Sequence, residues 1–443
     1  MALGPEWLLE RLGQKPGPSR YRVAFSGGLD STVLLHLMAS VRDQLAVPVD
    51  AVHVDHGLHP NSGEWARQCE AVCYQLGIPC KKIEVDARSL EGEGPEAAAR
   101  EARYRAFVNG LESGTALLTA HHEDDQAETH LLQMLRGAGP RGLAAMPERR
   151  PLGRGWLVRP LLTIPRSELR AWAESAGLVW IEDPGNFDTG FDRNRIRHEI
   201  MPSLSRCRSG ASHSIARSAM HCAEASQLLD ELAATDVEGN TIAPGILDAE
   251  RLWALSSARI RNALRFWIRQ LGLPVPDTTN LNRILDEVLP ASADAEPLVR
   301  WPGAEVRSYR GHLYVMAPLQ PVPKDWHVDW SGAGNLTLPA GLGQLALRTT
   351  RGWGLKAELF ESAVVSAHFR AGGEHCRPVG RGHSHSLKKL FQEAGIPPWQ
   401  RDRIPILSVR GEVAAIADLC YGEAFATAAG EAGLGVLWDH GCH

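Results

Sequence analysis

Residues 26–32 read S-G-G-L-D-S-T, a set of side chains suited to capturing an anion. Ser26, Ser31 and Thr32 offer hydroxyl donors. Gly27 and Gly28 permit positive φ and close approach of the main chain. The flanking "YRVAF" (21–25) reads as a buried strand and 31–46 as a helix. A strand–turn–helix of this kind aims unpaired N–H groups and the positive end of a helix at one point, and phosphate is the usual occupant. The spacing is neither G-x-x-x-x-G-K-[ST] nor G-x-G-x-x-G. Taken alone, the stretch also fits a tight turn with Ser31 as N-cap. Asp30 cannot meet a phosphate as a bare anion, so Mg²⁺ between the two is the natural bridge.

Three further stretches carry chemistry. "HVDHGLHPNS" (53–62) begins with His53 near a strand end, where ligands of parallel α/β sheets bind. "EAAAREARY" (96–104) places Glu96, Arg100 and Arg103 on one helical face. "TAHHEDDQAET" (119–129) ends a strand in His121 and His122, then opens a helix with Asp124, Asp125 and Glu128 aimed at one region. Each has a plainer reading: Asp124 or Asp125 as an N-cap, the arginines as a solvated face paired with Glu96 and Glu101, the histidines as strand ends.

These groups need a scaffold, and the first ~180 residues supply an alternating pattern. Strands read at 21–25, 49–56, 81–85, 115–122 and 156–162 are separated by helices at 31–46, 63–77, 96–111 and 124–137, with another at 167–178. That is a parallel, doubly wound α/β sheet, which binds ligands at the carboxyl ends of its strands. "RGAGPRGLAAMPERRPLGRG" (136–155) reads as a long functional loop. Residues 212–290 read as mostly helical, and the last hundred as mixed and β-leaning. The expected division is 1–210 catalytic, 211–321 mainly helical, and 322–443 a mixed α+β C-terminal domain.

A net charge of −5 does not advertise nucleic-acid binding, so such a role must rest on local patches. Residues 136–170 hold eight arginines against two acids, 251–276 five arginines and no acid, and 375–410 seven Lys/Arg against two acids, with Trp399 among them. Eight cysteines without a C-x-x-C pair exclude a disulfide framework or zinc knuckle and fit a reducing cytoplasm. No apolar run is long enough to span a membrane. The Trp, Leu and Arg mixture in 251–269 fits core, RNA surface or a homodimer face.

In context, S-G-G-x-D-S after a buried strand resembles the pyrophosphate loop of the PP-loop ATP pyrophosphatases. The resemblance implies that Ser26, Gly27, Gly28, Leu29, Asp30, Ser31 and Thr32 hold the phosphates of ATP, with His53 and His122 also at the nucleotide. The wider set resembles the tRNA(Ile)-lysidine synthase family: A-H-H-x-D-D-Q-x-E-T, E-A-A-x-R-x-x-R-Y, L-x-R-G-x-G-x-x-G-L (135–143), R-P-L-L (159–162), R-N-x-I-R within 193–204, and a C-terminal segment, 377–401. His59 departs from the family, which often has arginine there.

The resemblance implies ligation of free L-lysine to the wobble cytidine of a CAU-anticodon isoleucine tRNA. ATP adenylates the C2 oxygen, the ε-amine attacks C2, and AMP leaves. An arginine must then stabilise charge on the α-phosphate: Arg103 or Arg197, with Arg100 behind them. A carboxylate must accept the amine's proton, since a lysine pKa of roughly 10.4 leaves little neutral amine at pH 7. Asp125 and Glu128 fit that role, or binding of lysine's cation, or, for Asp125 with Asp30, a Mg²⁺ site. A tRNA thiolase needs paired cysteines that the sequence does not offer near the expected site. A binding protein that keeps the loop but lacks catalysis is the other alternative.

Overall fold

The structure, a computed structural model, describes residues 2–13, 17–55, 57, 61–85, 95–184, 190, 192–292 and 295–440, with the side chains of 95–100 left aside. Glu96, Arg100 and His59 therefore fall outside the described side chains. The chain divides into two compact units, Met1–Leu229 and Asp230–His443.

In the first unit, helix α1 (Pro5–Leu12) precedes β1 (Arg20–Ala24), α2 (Leu29–Val41), β2 (Val49–Asp55), α3 (Ser62–Gln75) and β3 (Cys80–Glu84). Then come α4 (Pro95–Gly110), β4 (Thr115–Leu118), α5 (Glu123–Leu135), the short α6 (Pro140–Leu143), β5 (Arg149–Leu152), β6 (Gly155–Val158) and α7 (Arg166–Ser175). The sheet order is β3-β2-β1-β4-β6-β5. All neighbours are parallel except β5 against β6. Strand order reverses between β1 and β4, so the turns leaving these two strands flank the switch-point crevice. Helix α2 is buried along most of its length (Leu29, Val33, Leu34, Leu35, Leu37, Met38 and Val41) and packs against α1 and α7. Burial on every side is why its sequence lacks a polar stripe.

The stretch read as one long loop contains α6 and β5. Gln126 of α5 anchors it, donating from Nε2 to the Met146 carbonyl at 2.8 Å and accepting the Met146 N–H at 2.8 Å. His130 Nδ1 bonds the Leu143 carbonyl at 2.6 Å. Strand β5 was obscured because R-R-P-L carries no apolar run and pairs only at the sheet edge, where proline is tolerated. Past α7, α8 (Asp192–Arg195) runs into a π-helical turn (Ile196–Ile200), then α9 (Met201–Cys207) and α10 (Ala211–Glu238).

In the second unit, a five-stranded antiparallel sheet joins Thr241–Ala243 and Ile246–Asp248 to Leu298–Trp301, Ala304–Tyr309 and His312–Met316. The first two of these strands lie within the section read as mostly helical. They are three residues each, too short for a period-2 signal. Helix Ser257–Gln270 buries Ile260, Ala263, Leu264, Trp267 and Ile268. Its arginines lie off that face: Arg259 pairs with Asp236, and Arg269 with Asp230 at 2.6 Å. This arginine-rich run is thus the polar side of an amphipathic helix, largely committed to partners within the unit. Two further sheets, of five and four strands, pack around a core that includes Trp330, Phe369, Leu390 and Phe391. Trp399 is half-buried, edge-on to Tyr314 with ring centroids 5.2 Å apart.

Candidate active site

The turn after β1 is closed by its own hydroxyls. Ser31 Oγ donates to the Gly28 carbonyl at 3.0 Å and accepts the Ser26 N–H at 3.2 Å. It also lies 3.0 Å from Ser26 Oγ. Thr32 is buried, and its hydroxyl donates to the Gly27 carbonyl at 3.3 Å. Thr32 therefore holds the loop from inside.

The two glycines differ. Gly27 has φ 84°, and a Cβ there would sit 2.6 Å from Ile181 Cδ1 and 2.9 Å from Cys69 Sγ. The Gly27 carbonyl also accepts the Ile181 N–H at 2.9 Å. Gly28 has φ −73°, and the nearest atom to its built Cβ is Ser26 Oγ at 3.7 Å. The fold itself thus requires Gly27, while the room for an approaching anion lies at Gly28. His53 is buried, with Nδ1 2.9 Å from the Phe25 carbonyl, and burial lowers its pKa. Its ring braces β1 from β2.

Across the crevice, α5 begins in a capping box. His122 Nδ1 accepts the Asp125 N–H at 3.4 Å, and Asp125 Oδ2 accepts the His122 N–H at 3.1 Å. Histidine rather than aspartate is therefore the cap. Asp124 instead accepts the Arg166 N–H at 2.9 Å, at the start of α7. Buried His122 faces both sides of the crevice: Nε2 is 3.6 Å from Asp30 Oδ2 and 3.4 Å from Asp125 Oδ2. Burial alone would lower its pKa. Asp125, Asp30 and Asp124 outweigh that and raise it.

Asp125 and Glu128, one helical turn apart and both buried, share two guanidinium groups. Arg193 donates from Nη2 to Asp125 Oδ1 at 2.8 Å and from Nε to Glu128 Oε2 at 3.0 Å. Arg197 donates from Nε to Glu128 Oε1 at 2.6 Å, from Nη2 to Glu128 Oε2 at 2.9 Å and from Nη2 to Asp125 Oδ1 at 3.0 Å. Burial would push the Asp125 carboxyl up; His122, Arg193, His121 and Arg197 hold it well below the usual carboxylate range. Burial also works against charge on Arg197, but Glu128, Asp125 and Asp30 raise its proton affinity. Bidentate, charge-assisted bonds of this type fix geometry as well as charge.

Asp30 itself, one residue into α2, is about 29% exposed at its side chain, with Oδ1 buried and lacking a hydrogen-bond partner. Arg166 Nε lies 3.7 Å from that oxygen. The structure thus brings together Asp30, His122, Asp125, Glu128 and Arg197. Arg103 is exposed on α4, and the guanidinium groups on the carboxylates are those of Arg193 and Arg197. Arg193 opens the R-N-x-I-R segment but was given no role from sequence, and Arg166 was not singled out. The four-residue spacing of Arg193 and Arg197 was the available signal for the first.

A parallel sheet with a glycine turn facing a helix whose first turn is acidic, across its switch point, points to the PP-loop class. A family profile described as "PP-loop domain" matches residues 6–204. Profiles described as "TilS substrate binding domain" and "TilS substrate C-terminal domain" match 247–314 and 365–438. The chain is 45% identical over 408 residues to the tRNA(Ile)-lysidine synthase of Methylococcus capsulatus, covering 92% of each chain. It is 41% identical over 421 residues to that of Coxiella burnetii, covering 95% of this chain and 93% of the other. It therefore belongs to the tRNA(Ile)-lysidine synthase family, ATP-dependent ligases built on a PP-loop domain. Among solved structures, the U34-tRNA thiolase NcsA from Methanococcus maripaludis overlaps 50% of this chain and 78% of its own, at 19% identity and a TM-score of 0.42.

Proposed function

We propose that this chain ligates free lysine to C2 of the wobble cytidine of the CAU-anticodon tRNA(Ile), consuming ATP and releasing pyrophosphate and AMP, so that the tRNA reads AUA as isoleucine. The observation that carries the reading is the pairing of the Gly28 turn with the Asp125–Glu128 carboxylates across one switch point. One side suits a nucleotide's phosphates and the other an alkyl-ammonium.

Main-chain N–H groups at Gly28 and the start of α2 would bind phosphate. Asp30 fits Mg²⁺: its Oδ1 is buried without a hydrogen-bond partner, and this ion is usually held by one or two carboxylates plus phosphate oxygens. Asp125 fits the ion less well, because Oδ1 already accepts two guanidinium bonds and Oδ2 the His122 N–H. When bound, Mg²⁺ would offset charge on the phosphates as pyrophosphate departs. Arg197, or Arg103 from α4, would stabilise charge on the α-phosphate. Asp125 and Glu128 would hold the lysine ε-amine, and one of them would take its proton as the amine attacks C2.

Recognition of the tRNA would fall to the C-terminal domain, in the division 1–210, 211–321 and 322–443, together with the basic stretch 136–170; each part of the division contains one of the three profile matches. Arg377 and Arg381 of the C-terminal basic stretch are paired with Glu423 and Glu393, whereas Lys388 is exposed. Such residues would position phosphates rather than read bases. Among the described residues, no helix is long and apolar enough to cross a membrane. The proposed setting is the cytoplasm.

The test is to incubate the protein with an unmodified CAU isoleucine-tRNA transcript, ATP, Mg²⁺ and labelled lysine, beside an Asp30→Ala control. Label in a single nucleoside, matched by AMP and lost in the control, is the expected result. AMP release without lysine incorporation would keep the adenylating chemistry and move the nucleophile elsewhere.

A further inference from the structure

The carboxylate pair that would receive lysine is already occupied by cations from the chain itself. Asp125 and Glu128 carry two negative charges, and Arg193 and Arg197 carry two positive ones. Three of the four carboxylate oxygens, Asp125 Oδ1 and both Glu128 oxygens, accept guanidinium bonds, and the fourth caps α5. An ε-ammonium entering this neutral cluster would be a third cation on carboxylates whose charge is already matched and whose four oxygens each already accept a bond. Burying it there without compensation is unfavourable. One arginine has to leave before lysine can sit.

The two arginines differ in exposure and bonding: the Arg197 side chain is about 27% exposed and makes three bonds to the pair, that of Arg193 about 20% and two. Asp30, on the phosphate-loop side of the crevice, also favours the charge on Arg197. Arg197 sits in the π-helical turn Ile196–Ile200, a form that occurs as single turns within helices, frequently at functional sites. Across from it, Asp30 Oδ1, buried without a hydrogen-bond partner, marks where charge from a nucleotide and its metal would arrive.

We propose that Arg197 is a shared cation: it seats on Asp125 and Glu128 while nucleotide is absent and moves to the α-phosphate when ATP binds, vacating the seat for lysine's ε-ammonium. Lysine therefore binds after ATP, and free lysine does not compete for an empty enzyme. This rests on the lysine-ligating reading above. Because binding couplings are reciprocal, lysine tightens nucleotide binding by the factor by which nucleotide tightens lysine.

The experiment is equilibrium dialysis of labelled lysine against the full chain, alone and saturated with Mg²⁺ and α,β-methylene-ATP, which resists cleavage at the scissile bond. The wild-type chain is expected to bind lysine at least about tenfold more tightly with the analogue, equal to about 1.4 kcal/mol. The analogue's own affinity should rise by the same factor with lysine. Arg197→Gln should bind lysine without nucleotide as tightly as the analogue-loaded wild type and gain no more from the analogue. Arg193→Gln also leaves one negative charge uncompensated and should take lysine without nucleotide, which keeps the test alive if Arg197→Gln does not fold.

Equal lysine affinity with and without analogue in the wild type would overturn the proposal. So would both variants binding lysine no better than the wild type does alone. If lysine binds in no state while the ligation assay still yields lysidine, the shared-cation mechanism fails by itself. If neither binding nor lysidine is seen, the lysine reading fails with it.

Discussion

The glycine turn and the carboxylate–arginine cluster face each other across one crevice, yet they are held together in opposite ways. The turn is closed by Ser26, Gly27, Gly28, Ser31 and Thr32, whose mutual bonds span five residues or fewer. The cluster joins Asp125 and Glu128 to Arg193 and Arg197, with bonds spanning 65 to 72 residues. A local device needs little from the rest of the fold, apart from the small space at Gly27. A non-local one depends on α5 and the 192–200 segment meeting in register, and it buries charge in doing so. The first is therefore expected to tolerate most conservative changes, and the second to fail when any partner is removed.

The sharpest way to break this contrast is Glu128→Gln, which keeps the shape but leaves Arg193 and Arg197 short of a buried counter-charge. Loss of one partner from such a cluster costs about 3–5 kcal/mol, read as a shift in denaturant midpoint. An unchanged midpoint would mean that the cluster adds nothing to stability.

Gly27→Ala comes next. Its left-handed backbone costs roughly 1–2 kcal/mol, and the encounter with Ile181 and Cys69 costs roughly 1–3 kcal/mol in overpacking. Gly28→Ala has no such clash and should leave the midpoint within about 0.5 kcal/mol, while weakening nucleotide binding measured by titration. Equal midpoint losses in both variants would contradict the separate roles given to the two glycines.

The pH dependence of unfolding sharpens the comparison further. Asp125 has its folded pKa depressed, so its stabilisation is present in full above the ordinary value of 3.8 and is lost as pH falls from there through the folded value. His122 has its folded pKa raised, so its stabilisation is present in full below 6.5 and is lost as pH rises through the folded value. Asp125→Asn should flatten the acid limb of the stability curve and His122→Gln the limb above 6.5. The smallest expected effect is Arg103→Ala, which should leave stability within about 0.5 kcal/mol because the side chain is exposed. A fall in AMP formation without a fall in stability would assign the α-phosphate role to Arg103 rather than Arg197.

Much of the fold was legible in the sequence because its signals are local. β1, β2, β4 and β6 are largely apolar runs, β3 (C-K-K-I-E) is placed by its position between helical patterns, and all five strands stand within a few residues of their expected positions. In "TALLTAHH", β4 stops at Leu118 because His122 and Asp125 cap each other, and histidine seldom caps a helix. Strand β5 and the 241–248 hairpin were missed because an edge pairing or a three-residue strand leaves no periodicity to count.

The sequence by itself determined the parallel α/β class, the phosphate-type turn, and the acids and arginines available to a site. Those features follow from periodicity and from residue types at short spacing. Only the tertiary structure decided which arginines meet Asp125 and Glu128, that His53 braces a strand, that Thr32 faces inward, and that Gly27 serves packing while a Cβ at Gly28 would meet only ordinary contacts. Each of those outcomes depends on which atom lies on the other side of a side chain. That atom comes from sequence positions many residues away: Ile181 over Gly27, and Arg193 and Arg197 over α5.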